Sequence, residues 1–178
     1  MPARRASLHL VAVTLALGLV AACTHQGATA PSAALPDGAG TGLRATVERV
    51  VDGDTVDLSI PGRGTERARL LGIDTPETVK PDAPVDCYGP EASARTKHLL
   101  PPGTAVAIQR DAEVRDRYGR LLVYLWRLRD GLFVNRDLLA RGFARVLSIA
   151  PNTARAAELA AASAQARTAR LGVWGRCR

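Results

Sequence analysis

Two runs rich in β-branched residues, LRATVERVV (43–51) and DTVDLSI (54–60), meet at Asp52-Gly53. Asp-Gly between strand-like runs is a strong hairpin signal, because glycine accepts the backbone angles of a tight turn. A third run, ERARLLGI (66–73), follows, and TAVAIQR (104–110) and LLVYLWRL (121–128) supply two more. Between them EASARTKHLL (91–100) reads as a helix stopped by Pro101-Pro102. Asn135 is expected to N-cap a short helix ending at Gly142, and the Ala-rich stretch 154–170 to form another. Three strands, a helix, two strands and two helices suit an α+β fold. The expectation is a five-stranded OB-fold β-barrel with about three α-helices packed on it.

Nothing before residue 43 looks like part of that core. Arg4-Arg5 precedes a short apolar run, LHLVAVTLALGLVAA (8–22), too short to span a bilayer comfortably, so 1–22 reads as a signal peptide. Small residues then precede a cysteine in LVAAC (19–23), a pattern that resembles a bacterial lipobox. Cys23 is then the lipidated first residue of an exported cell-surface or periplasmic lipoprotein, held on the membrane through its lipid anchor. Plain secretion after cleavage behind Ala22 is the alternative. Residues 23–42, small and rich in Pro and Gly, form a flexible tether, leaving 43–178 as one folded domain. In an oxidising compartment Cys87 and Cys177 read as a disulfide, two free thiols being the alternative.

The third strand ends in a way that needs explanation. ARLLGIDTPET (68–78) passes from an apolar run straight into Asp74 and Glu77, and DGDT places Asp52 and Asp54 in the first turn. Carboxylates beside a buried strand cost solvation unless a cation answers them. Oxygen donors with no suitably placed His point to a hard cation, Ca²⁺ before Mg²⁺. Arg69 and Arg120 offer forked donors suited to phosphate, although an isolated arginine is as readily an ion-pair or loop residue. The formal charge of +7, which falls to +5 once Arg4 and Arg5 leave with the signal peptide, favours an anionic partner. Aromatics at 4% are too few for an extended base-stacking platform.

Taken together, VVDGDTVDL, RLLGIDTPET, YGPEAS, DRYGR and VNRDLLARGFARV resemble the thermonuclease, or staphylococcal-nuclease-like, family in order and spacing. The resemblance runs from about Thr46 to Trp174. It implies a Ca²⁺-dependent phosphodiesterase acting on DNA and RNA with little sequence selectivity, leaving 3′-phosphate ends, and a monomer. By matching motifs, Asp54, Asp74 and the Thr75 carbonyl would hold the metal. Glu77 would act as general base or water orienter, Arg69 and Arg120 would bind the scissile phosphate, and Arg117 with Tyr118 a neighbouring phosphate. Arg69 and Asp74 are an odd number of residues apart, so an ideal strand would face them oppositely. Their roles therefore require a bend near Gly72. The chain departs from the family where tyrosines often line the nucleotide pocket. Aligned without a gap, those positions fall on Ser148 and Ala150; a one-residue slip puts them on Leu147 and Ile149. A catalytically silent nucleic-acid-binding OB module is the rival reading.

Overall fold

A computed structural model describes residues 42–78 and 84–177. The expected signal peptide, Cys23 and the expected tether through residue 41 lie outside the described residues. Strands β1 (Leu43–Asp52), β2 (Thr55–Ile60) and β3 (Gly64–Leu70) form an antiparallel meander. β5 (Ala105–Gln109) pairs antiparallel with β1, and β6 (Leu121–Arg127) pairs antiparallel with β5. A parallel ladder between β3 and β6, with Ala68 opposite Leu121 and Leu70 opposite Val123, closes the five strands into an OB-like barrel. Closure removes the exposed edges that an open sheet would present.

Alternation along the strands builds the interior. Val47, Val56, Leu58, Ala68, Leu70, Val106, Ile108, Val123 and Leu125 are all buried in one apolar cluster. Each such aliphatic side chain larger than alanine contributes roughly 1.5–3 kcal/mol when fully buried. Among the described residues, no helix is long and apolar enough to cross a membrane.

The third strand is shorter than expected. It breaks after Leu70, and the chain resumes as β4 (Gly72–Asp74), which leaves the barrel to pair with β8 (Arg145–Leu147). Gly72 makes the break with a φ of +75°, and a Cβ there would lie 2.3 Å from Cδ1 of Leu159. Only glycine combines that backbone angle with so close an approach.

Helix α1 (Gly89–Leu99) begins two residues earlier than expected, with Pro90 in its first turn, where a missing N–H costs nothing. A two-residue strand, β7 (Leu132–Phe133), leads into α2 (Val134–Ala140). Asn135 does not cap that helix: Phe133 holds the N-cap position and Asn135 is buried inside the first turn. Its Oδ1 accepts the Leu125 N–H at 3.0 Å, while Nδ2 donates to the Leu71 carbonyl at 2.8 Å. The carboxamide thus satisfies backbone groups at the β3–β4 break and on β6, a need that local capping rules do not contain. Helices α3 (Ala156–Thr168) and α4 (Val173–Arg176) complete the domain. The Cys87–Cys177 disulfide joins the end of α4 to the segment before α1.

Candidate active site

Asp54 lies in the β1–β2 turn, and its carboxylate is buried. Its Oδ2 accepts the Thr75 amide at 2.9 Å and the Thr75 hydroxyl at 3.0 Å. Its Oδ1 accepts the Thr55 hydroxyl at 3.1 Å and forms an ion pair with Nη1 of Arg69. Nη2 of the same guanidinium lies 2.9 Å from Oδ1 of Asp74. The break at Gly72 is what allows this meeting, since Arg69 stands on β3 and Asp74 on β4. Gly53 leaves room for Thr75: a Cβ on it would sit 2.6 Å from the Thr75 hydroxyl.

Two carboxylates from distant segments therefore converge on a single cationic group. Burial pushes the Arg69 guanidinium down from its usual value, hydrogen bonding to Asp74 works against that, and neighbouring Arg120 adds repulsion. A guanidinium nevertheless stays charged in a protein. Mutual repulsion between Arg69 and Arg120 marks a place where an anion would be welcome.

Arg120 is set by its own loop. Asp116 accepts the amides of Tyr118 and Arg120, each at 2.9 Å, and its other oxygen accepts Nε of Arg120 at 2.7 Å. Burial alone would raise the Asp116 carboxyl, but the Arg120 bonds and these amides hold it below the usual carboxylate range. Gly119, with a φ of +80°, completes the turn. Asp116 was not singled out from the sequence, yet an Asp opening a turn of the form D-x-x-G was the available signal. Arg117 lies over the Tyr118 ring at 4.7 Å, and that ring is 67% exposed.

A cleft of about 660 Å³ gathers Arg69, Arg117, Tyr118 and Arg120. Asp54, Asp74, Thr75 and Glu77 do not line it; Arg69 links the two groups. Leu147 and Ile149 line the opposite wall, whereas Ser148 and Ala150 do not. The residues that the one-residue slip offers, Leu147 and Ile149, are thus the ones that border the cleft, and Leu147 pairs with Gly72.

Glu77 stands at the end of the IDTPET turn. Its amide donates to Oδ2 of Asp86 at 3.1 Å and its carbonyl accepts the Asp86 amide at 3.0 Å. Its carboxyl is a neighbour of the Asp52 carboxyl. Burial would raise the Asp52 carboxyl, but bonds with Glu77, Thr78 and Gly53 hold it below the usual value. Thr75 presents its amide and hydroxyl to Asp54, which leaves its carbonyl for other use.

The donor chemistry suits a hard cation. Asp54 and Asp74 already share one positive group, and all available ligands are oxygens.

The sequence profile described as "Staphylococcal nuclease homologue" matches residues 67–176. The chain is 42% identical over 130 residues to a thermonuclease of Staphylococcus intermedius, covering 73% of this chain and 75% of that protein. It is 40% identical over 128 residues to a thermonuclease of Staphylococcus hyicus, covering 72% and 73%. It is also 38% identical over 132 residues to the SPbeta prophage-derived endonuclease YokF of Bacillus subtilis, covering 74% of this chain and 44% of that protein.

The geometry makes Gly72 the test of how the site is assembled. Gly72→Ala should cost about 1–3 kcal/mol in urea unfolding, from a left-handed backbone and the clash with Leu159. An unchanged unfolding midpoint would mean the break does not depend on glycine.

Proposed function

Because the chain belongs to the staphylococcal nuclease family, we propose that it is a Ca²⁺-dependent nuclease hydrolysing phosphodiester bonds of DNA and RNA. The observation that carries this reading is the facing pair Arg69 and Arg120 in a cleft beside the paired carboxylates Asp54 and Asp74. Asp54, Asp74 and the Thr75 carbonyl would hold the ion. When bound, Ca²⁺ supplies positive charge against the phosphate and lowers the pKa of water beside it.

The chain's own side chains do the rest. Arg69 and Arg120 bind the non-bridging oxygens of the scissile phosphate and stabilise the charge that grows on them. Asp116 holds Arg120 in position, so little ordering is left for the transition state. Glu77 accepts a proton from the attacking water, or orients it, as the water oxygen bonds to phosphorus. The phosphorus–O5′ bond breaks, the 5′ oxygen takes up a proton, and a 3′-phosphate remains. Arg117 and Tyr118 hold a neighbouring phosphate.

Release of acid-soluble nucleotides from DNA tests the assignment. Wild type should be active with Ca²⁺ and silent in chelator, and Asp54→Asn should be nearly inactive while folded. Glu77→Gln and Arg120→Ala should each lose roughly 10²–10³ in kcat, the usual cost of one preorganised charge-stabilising group. A loss under about tenfold in either would mean its role is misassigned.

The aliphatic wall of the cleft predicts modest affinity for a base. Stacking on an aromatic ring contributes roughly 1–3 kcal/mol, about five- to 150-fold in binding. Replacing both Leu147 and Ile149 by Tyr should lower KM for DNA more than it changes kcat. A KM that does not move would show that the base lies elsewhere.

We also propose that Cys23 carries the lipid anchor suggested by LVAAC. Cys23→Ser should move the protein from the membrane pellet to the soluble fraction of the producing cell. Equal distribution of both forms would point to plain secretion instead.

A further inference from the structure

Thr65, Arg67 and Arg69 alternate along β3, so they share the strand's outer face while Ala68 and Leu70 are buried in the barrel. Two residues of strand advance roughly 6.6 Å. That is a span consecutive phosphates of an unstacked strand can cover. A second groove, of about 360 Å³, lies along this face and is lined by Thr65, Arg67, Tyr118, Gly119 and Arg120, with Asp57 at its floor. Tyr118 and Arg120 line both this groove and the main cleft, so the two are adjacent.

Arg67 is fixed in place. Its Nε lies 2.8 Å from Oδ1 of Asp57 and its Nη2 3.2 Å from Oδ2. Arg49 reaches the same carboxylate from the other side, at 2.8 Å. Cross-strand register explains the trio, since Asp57 stands opposite Arg67 on β3 and Arg49 on β1. Glu48 accepts the Thr65 hydroxyl at 2.9 Å, while Asp116 is paired with Arg120 and Glu66 with Arg115. Hydrogen bonding by Arg67, above all, holds Asp57 below the usual carboxylate range, so the arrangement persists at neutral pH.

An ion pair whose only task was stability would need one arginine, and half-exposed pairs contribute little. Here two guanidiniums meet one carboxylate, which leaves a positive surplus. Arg67 spends two of its five donors on Asp57 and is 49% exposed, so further donors remain for a ligand in the groove.

We propose that this groove is a second phosphodiester subsite, in which Arg67 binds a further phosphate of the strand, beyond those held by Arg69 with Arg120 and by Arg117 with Tyr118. Asp57 is its positioning residue. The subsite extends the nuclease reading given above and favours polymers over short substrates.

The test measures binding and hydrolysis separately. Binding of a long single-stranded oligonucleotide, followed by fluorescence anisotropy in chelator, is titrated with salt for wild type, Arg67→Gln and Arg67→Lys. Loss of one phosphate contact should flatten the slope of log K against log salt by about 0.7 in Arg67→Gln. Affinity should fall roughly three- to tenfold, and Arg67→Lys should recover the slope. With Ca²⁺ present, KM of Arg67→Gln should rise more on the long oligonucleotide than on a dinucleotide with one phosphodiester. An unchanged slope in Arg67→Gln, or equal KM changes on both substrates, would overturn the subsite. A flattened slope in a protein whose wild type hydrolyses nothing would support the subsite and refute the nuclease reading.

Discussion

A guanidinium drawn out of water has to be answered by carboxylates, and Arg69 imposes that condition on the rest of the domain. Its two answering groups come from different places: Asp54 from the β1–β2 turn and Asp74 from β4. Bringing them together requires the barrel to close, so that β3 lies beside both β2 and β6. It also requires the chain to leave the barrel immediately afterwards. Gly72 meets that second demand with a backbone angle that other residues adopt only at a cost.

The break in turn exposes backbone groups that the barrel ladder no longer pairs. Asn135 accepts the Leu125 amide and donates to the Leu71 carbonyl, while the Leu71 amide bonds the Val123 carbonyl. A buried amide or carbonyl left unpaired costs about 1–3 kcal/mol, so one carboxamide secures the local geometry beneath the charged cluster. Farther out, the Cys87–Cys177 disulfide ties the C-terminus to the residue next to Asp86, whose backbone and side chain hold the Glu77 backbone. The acidic turn is therefore also anchored through Asp86.

Charge is distributed unevenly to match. Arg127 is buried against Asp130 and the Leu99 carbonyl, and Arg95 is paired with Asp137, so these cations serve the fold. Arg69, Arg67, Arg117 and Arg120 instead border two adjacent grooves. Some of the arginines therefore serve internal pairing, and others border the grooves beside β3 and its adjoining loop.

Much of this was local and hence legible in the sequence. The Asp52-Gly53 hairpin, the alternating runs of the barrel strands and the Ala-rich helix each follow from spacings within a few residues. The roles that the family resemblance implies for Arg69 and Asp74 demanded a bend, and Gly72 was the residue able to make it. The rest depended on contacts that no local pattern encodes. Asn135 has the chemistry of an N-cap, but a buried amide and carbonyl from other segments claim its side chain. Leu147 and Ile149, not Ser148 and Ala150, line the cleft, and Leu147 is placed there by a β8 strand that pairs with β4, far away in the chain. The sequence by itself determined which groups carry charge, where the chain turns and which stripes are apolar. Only the tertiary structure decided which carboxylate meets which guanidinium, because those pairings are set by barrel closure and strand register, long-range constraints that bring distant residues within hydrogen-bond reach.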